Sequence, residues 1–194
     1  MNESSPGIHQ MDAEQKPQGT PKPAADGSAA PWDDDLTARL AELAPGQIAE
    51  FSTYLGQNFL VCAPEAVISI LEYLKLEEDF DYLVDITAVD YPTRPDRFDL
   101  VYILYSHPHN RRIRIKTRIP EGYRPESAVA VHRTADWLER EVFDMFGIEF
   151  ANHPNMQRIL LPEDWQGHPL RKDYPILRMD HAWVRENLGI ESGQ

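Results

Sequence analysis

Cysteine is almost missing from this chain: among 194 residues there is one, Cys62. An internal disulfide is thereby excluded, and a lone thiol cannot ligate an iron–sulfur cluster unaided. Cys62 stands in the apolar run 59–63, where a small buried hydrophobe is its default role. Basic residues are also in short supply. Against 32 Asp and Glu there are 19 Lys and Arg, a formal net charge of -13. That balance argues against a nucleic-acid binder and against direct binding to an anionic membrane surface. Long apolar runs are lacking too: the longest, 100–105, falls far short of the ~18–20 residues that span a bilayer. Residues 1–30 contain no apolar core of a signal peptide, so a cytoplasmic or peripheral chain is expected. No GxGxxG or GxxxxGK occurs, and no Ser-His-Asp or Cys-His arrangement is supported.

What is present divides into three parts. Residues 1–31, rich in Pro, Gly, Ser, Gln and Ala, bury too little apolar surface to offset chain entropy and are expected to be a disordered tail. Residues 32–150 carry the patterns of a folded domain. An Asp of the run 33–35 should cap a first helix with Leu36, Leu40 and Leu43 on its apolar side, stopped by Pro45-Gly46. Strands are expected at 48–54 and 58–63 around a turn at Gly56, then a helix from Pro64 with Val67, Ile68, Leu71 and Leu74 inward. Further strands are expected at 82–89, 98–105 and 112–119. The last alternates Ile113, Ile115 and Thr117 with Arg112, Arg114, Lys116 and Arg118, a half-buried strand with a wet basic face. A final helix follows, with Leu138, Val142, Met145 and Phe146 on one side and Gly147 as its C-cap. The order α-β-β-α-β-β-β-α predicts a two-layer α+β domain, helices on one face of a mixed sheet. Residues 151–194 then form an extended strap, because Pro154, Pro162, Pro169 and Pro175 forbid a long helix and a central strand. Trp183 marks a further short docking helix within 180–188.

The candidate functional residues gather in the final helix and the strap. Arg140 and Asp144 at i,i+4 can pair along the helix, in the weaker orientation. Glu141 and Asp144 share a face with Trp137, which suits ion pairing with a partner's cation better than a solvated face; acid–base catalysis by the carboxylates is the least supported reading. His153 and His168 each precede proline and match no compact metal-ligand spacing, so hydrogen bonding is expected of them. His107 and His109 flank Pro108 in a hairpin turn. In the strap, Arg158 precedes the apolar Ile159, Leu160 and Leu161, and Trp165, His168, Arg171, Lys172, Asp173 and Tyr174 follow. Tyr, Trp and Arg dominate binding hot spots, so attachment to another protein is expected, with folding back over the chain's own sheet as the alternative.

These residues also carry a resemblance. The run WLEREVFDMFGI over 137–148, His153-Pro154, Arg158-Ile159-Leu160 and GHPLRKDYP over 167–175 resemble the C subunit of respiratory NADH–quinone oxidoreductase, the thirty-kilodalton subunit family of complex I. The match is strong over the last third of the ordered chain; Gln157 stands where members often have a basic residue. The resemblance implies a peripheral-arm subunit on the cytoplasmic face of the membrane that binds no metal, cofactor or redox centre, FMN and iron–sulfur clusters being held by partner subunits. It implies docking on the forty-nine-kilodalton subunit, which helps to form the quinone cavity. The interface is assigned to Glu139, Arg140, Glu141, Asp144, His153, Pro154, Arg158, Leu160, Leu161, Trp165, His168, Arg171, Lys172, Asp173 and Tyr174. A related membrane-bound hydrogenase or another quinone-reducing dehydrogenase shares this module and is the alternative.

Overall fold

The computed structural model describes residues 28–174, together with 185, 186 and 189. Residues 1–27 of the tail expected over 1–31, and most of the short helix expected around Trp183, lie outside this set. Asp34 caps the first helix, α1 (Asp35–Leu43), by accepting from the Leu36 and Thr37 amides at 2.9 and 3.1 Å. Leu36 and Leu40 enter the core, whereas Leu43 in the last turn is 38% exposed. The chain then forms β2 (Ile48–Tyr54) and β3 (Gln57–Cys62), a hairpin whose turn places Leu55 and Gly56 at φ 49° and 74°. One strand was not foreseen. Ala30–Pro31 pairs with Ser52 and Thr53 as β1, so the ordered domain begins inside the expected tail. Its anchor is Trp32, buried and edge-on to Phe51. Pro31 is tolerated because β1 is the sheet edge.

A 3-10 turn at Pro64–Ala66 leads into α2 (Val67–Glu77). It carries the chain across one sheet face to β4 (Tyr82–Asp90), then β5 (Phe98–Ser106) and β6 (Arg111–Ile119). The sheet order is β1-β2-β3-β6-β5-β4, with β3 and β6 parallel and every other pair antiparallel. Leu60, Leu100, Tyr102, Leu104, Ile113 and Ile115 point from the sheet to the helices. There they meet Leu36 and Leu40 of α1, Ile70, Leu71 and Leu74 of α2, and Val142 and Phe146 of α3 (Ala135–Phe146). The alternation on β6 holds: Ile113, Ile115, Thr117 and Ile119 are buried, while Arg112 and Arg118 are exposed. The architecture is thus the α+β two-layer arrangement read from the pattern, with α3 lying against β4 at the end from which the strap departs.

Candidate functional site

Gly147 ends α3 in the left-handed region at φ 75°, and the chain turns back along the helix it has just left. The return brings the strap over the last turn of α3. Asp144, whose side chain has 0% exposure, meets Arg158 there at 2.5 Å. Its other oxygen accepts three successive amides, from Ile159, Leu160 and Leu161, at 3.2, 2.8 and 2.9 Å. Burial by itself raises the pKa of such a carboxyl; the Leu161 and Leu160 amides and Arg158 outweigh it and hold Asp144 below its ordinary value. Arg158 also donates to the carbonyls of Trp165 and Gly167 at 3.1 and 3.0 Å, so one guanidinium ties a later stretch of the strap to the helix end. His168 completes the contact, its Nδ1 3.0 Å from the Asp144 carbonyl and its ring edge-on to Phe143. A Cβ on Gly147 would lie 2.6 Å from His168 Nε2, so this glycine serves both the turn and the close approach.

A second clamp fixes the strap at residues 171–173. Arg97, at the start of β5, binds Asp90 through both ends of its fork at 2.8 and 2.9 Å, and also Glu121 at 2.9 Å and Asp173 at 2.8 Å. The Lys172 amide donates to Asp90 at 2.7 Å, and Arg171 pairs with Glu121. Arg97 and Arg171 both stand over the Phe98 ring, 5.1 and 5.4 Å from its centroid. The Arg97 hydrogen bond is the main reason that Asp90 and Glu121 both titrate below their ordinary range.

These contacts correct two expectations. Asp144 does not pair with Arg140; Arg140 instead donates to the Gln157 and Arg158 carbonyls at 3.1 and 3.2 Å. Nor are Glu139 and Asp144 open to a partner's cation, because both are buried and engaged within the chain. Helical spacing puts Trp137, Glu141 and Asp144 on one face, but the strap crosses only the Asp144 end, leaving Trp137 64% exposed and Glu141 exposed. Glu139 accepts the Ser127 hydroxyl and the Ala128 amide, each at 2.6 Å, and thereby ties the 125–132 loop to α3. Burial pushes its pKa up to about 7, against these hydrogen bonds. His153 lies alongside, its Nδ1 accepting the Asn155 amide at 3.0 Å, which leaves the Nε2 proton for the Asp136 carbonyl at 3.1 Å. Pro154, Leu160, Leu170, Lys172 and Asp173 remain outward, Leu160 at 61% and Leu170 at 52% exposure. Leu161, Trp165 and Tyr174 are half-buried. Asp90, Arg97, Glu121 and Ser127 were not singled out by sequence reasoning; the one signal was an opposite-charge pair flanking the turn between two apolar strands.

Fold and site together define a sheet-and-helix domain whose residues 158–174 are clamped to its own last helix and sheet, with Leu160 and Leu170 turned outward. Residues 60–179 match the family model described as respiratory-chain NADH dehydrogenase, 30 Kd subunit. The chain belongs to that family, the C subunits of NADH–quinone oxidoreductase. It is 42% identical over 151 residues to the C subunit of NADH–quinone oxidoreductase from Citrifermentans bemidjiense, covering 77% of this chain and 94% of that one. It is 47% identical over 131 residues to that of Trichlorobacter lovleyi, covering 66% and 81%. Among solved structures it resembles a chain in the membrane-bound sulfane sulfur reductase, an archaeal respiratory membrane complex. That likeness has a TM-score of 0.65 at 26% identity and covers 80% of this chain and 91% of the other. No helix among the described residues is long and apolar enough to cross a membrane.

Proposed function

We propose that this chain is a redox-silent peripheral-arm subunit of proton-translocating NADH–quinone oxidoreductase, docking on the forty-nine-kilodalton subunit at the cytoplasmic face of the membrane. In this reading electrons pass from NADH through FMN and iron–sulfur clusters held by other subunits to quinone, and this chain helps to hold the quinone-site subunit in place. The observation that carries it is the strap. Its Arg158, His168, Arg171 and Asp173 side chains are engaged in the two internal clamps, while Leu160, Leu170 and Trp137 are left outward, the pattern of a surface awaiting a partner. Arg140, Leu160, Leu161, Trp165, Lys172 and Tyr174 are the residues placed to meet that partner, directly or through the backbone they hold.

The test is Leu160→Glu with Leu170→Glu in the full chain. Assembled complex on native gels should fall about tenfold or more, as for a hot-spot loss, while the melting temperature of the purified chain stays within a degree or two. Unchanged assembly would refute the docking role, and stoichiometric metal or turnover on the purified chain would refute the redox-silent role. The likeness to the archaeal reductase supports a second reading, the equivalent subunit of a related membrane-bound reductase or hydrogenase. Co-purification from native membranes with NADH–quinone activity separates the two. The 42% identity to NADH–quinone oxidoreductase subunits favours the first.

A further inference from the structure

The sheet has a second face, turned away from the helices. On it β6 sets Arg112, Arg114, Lys116 and Arg118 at alternate positions, in line. Register places Lys116 between Val61 of β3 and Val101 of β5, and Arg114 between Phe59 and Ile103. Phe59, Val61 and Val101 are buried, yet they lie outside the core that faces the helices. The cations cover them: the Lys116 ammonium sits 4.1 Å from the Phe59 ring centroid and the Arg114 guanidinium 5.8 Å. Holding these heads against apolar surface costs them water, and burial lowers the pKa of both.

Three carboxylates share this face by register, Glu50, Asp85 and Asp99, and Asp99 and Glu50 act on Lys116 from a distance, but none is in direct contact with the middle of the row. Among the described residues Arg112, Arg114 and Lys116 have no ion pair, and Arg114 Nε is buried without a hydrogen-bond partner. Arg118 has Asp99 only at 3.9 Å, and Asp99 is already held by Arg94 at 2.5 Å. The row ends at a cleft of about 300 Å³ between Gly46 and Pro64, with Val61 and Arg118 in its wall. Alternate residues on a strand lie ~6.6 Å apart, the same spacing as alternate side chains of an extended peptide laid along it. A polyanion such as nucleic acid would meet the repulsive field of the whole acidic molecule, whereas a short segment meets mainly the local row.

We propose that this basic face binds an extended acidic segment of another subunit, its alternate carboxylates on Arg112, Arg114, Lys116 and Arg118 and an apolar side chain in the cleft beside Arg118. The proposal rests on membership of a multi-subunit complex, and not on which neighbour the strap meets. Tyr105, opposite Arg112 on the same face, is replaced by a benzophenone amino acid in the full chain, and the assembled complex is irradiated. A cross-link to a peptide of another subunit with Asp or Glu at alternate positions is expected. Cross-links to lipid, to nucleic acid, to residues 1–27 of this chain or to a non-acidic peptide, or none at all, would overturn it. Arg114→Glu with Lys116→Glu should lower recovered complex by about tenfold, and Arg114→Lys should not. Lysines placed in the cross-linked segment should restore the charge-reversed variant; failure to restore would also overturn it. The Leu160 and Leu170 variants in the same assay show separately whether the strap reading stands.

Discussion

Replacing Asp144 by asparagine keeps the shape of the side chain and removes its charge. One oxygen becomes an amide nitrogen that cannot accept, so either Arg158 loses its carboxylate or the Ile159, Leu160 and Leu161 amides lose their shared acceptor. Both sides are buried or nearly so, Arg158 at 13% side-chain exposure and Asp144 at 0%. Removing one member of a buried, hydrogen-bonded ion pair costs about 3–5 kcal/mol, and the lower end suits Arg158, which keeps its Trp165 and Gly167 carbonyls. The loss is local, because the sheet and its helix-side core do not depend on the clamp. About 3 kcal/mol of lost local stability corresponds to roughly a hundredfold faster amide exchange. Hydrogen–deuterium exchange of the peptide carrying residues 159–161 should therefore accelerate by that factor in Asp144→Asn, while β5 and β6 exchange as before. Acceleration of less than about threefold at these amides would mean that the carboxylate does not hold the strap, and the two-clamp account would fail.

Gly147→Ala must place a Cβ 2.6 Å from His168 Nε2 at φ 75°, so a loss of about 2–3 kcal/mol is expected in urea melts. Adding His168→Ala should recover the steric part and leave the backbone part. Arg97→Lys gives up the fork on Asp90 beneath three carboxylates and should cost about 2–4 kcal/mol. Arg39→Lys, at an exposed pair with Glu78, should leave the same melts essentially unchanged. Glu139 has a folded pKa raised to about 7, so its stabilising share is complete below its unfolded value and is lost as pH rises through 7. Between pH 5 and 8 the melting temperature of wild type should therefore fall relative to that of Glu139→Gln; parallel curves would refute this. Asp144, Asp90 and Glu121 act in the opposite sense, their share being lost as pH falls below the ordinary carboxylate range through their lowered values.

The periodic parts of the chain were legible in its sequence. Alternation located β6 and its two faces, and Gly147 declared the end of α3, because a strand's period and a left-handed cap are local facts. Helical spacing also put Asp144 beside Trp137 and Glu141, but it could not say that the chain would return to cover one of the three. That contact joins residues 14 to 17 positions apart across a turn, and no local pattern encodes it. The same holds for Arg97, whose partners Asp90, Glu121 and Asp173 come from three separate segments. β1 escaped because a two-residue edge strand containing proline leaves no period to detect. Its sole clue was a tryptophan, Trp32, at the border of an apolar-poor tail.

The two clamps have a consequence for how a larger assembly is put together. Fixing the backbone of one residue costs about 1–2 kcal/mol, so holding 158–174 in a single shape costs on the order of 20 kcal/mol. A segment that folded only on contact would subtract that sum from its binding energy. Here Asp144 and Arg97 hold the shape from within, and an incoming partner meets a surface already set. Residues 158–174 can therefore wait, already shaped, for the neighbour that meets them.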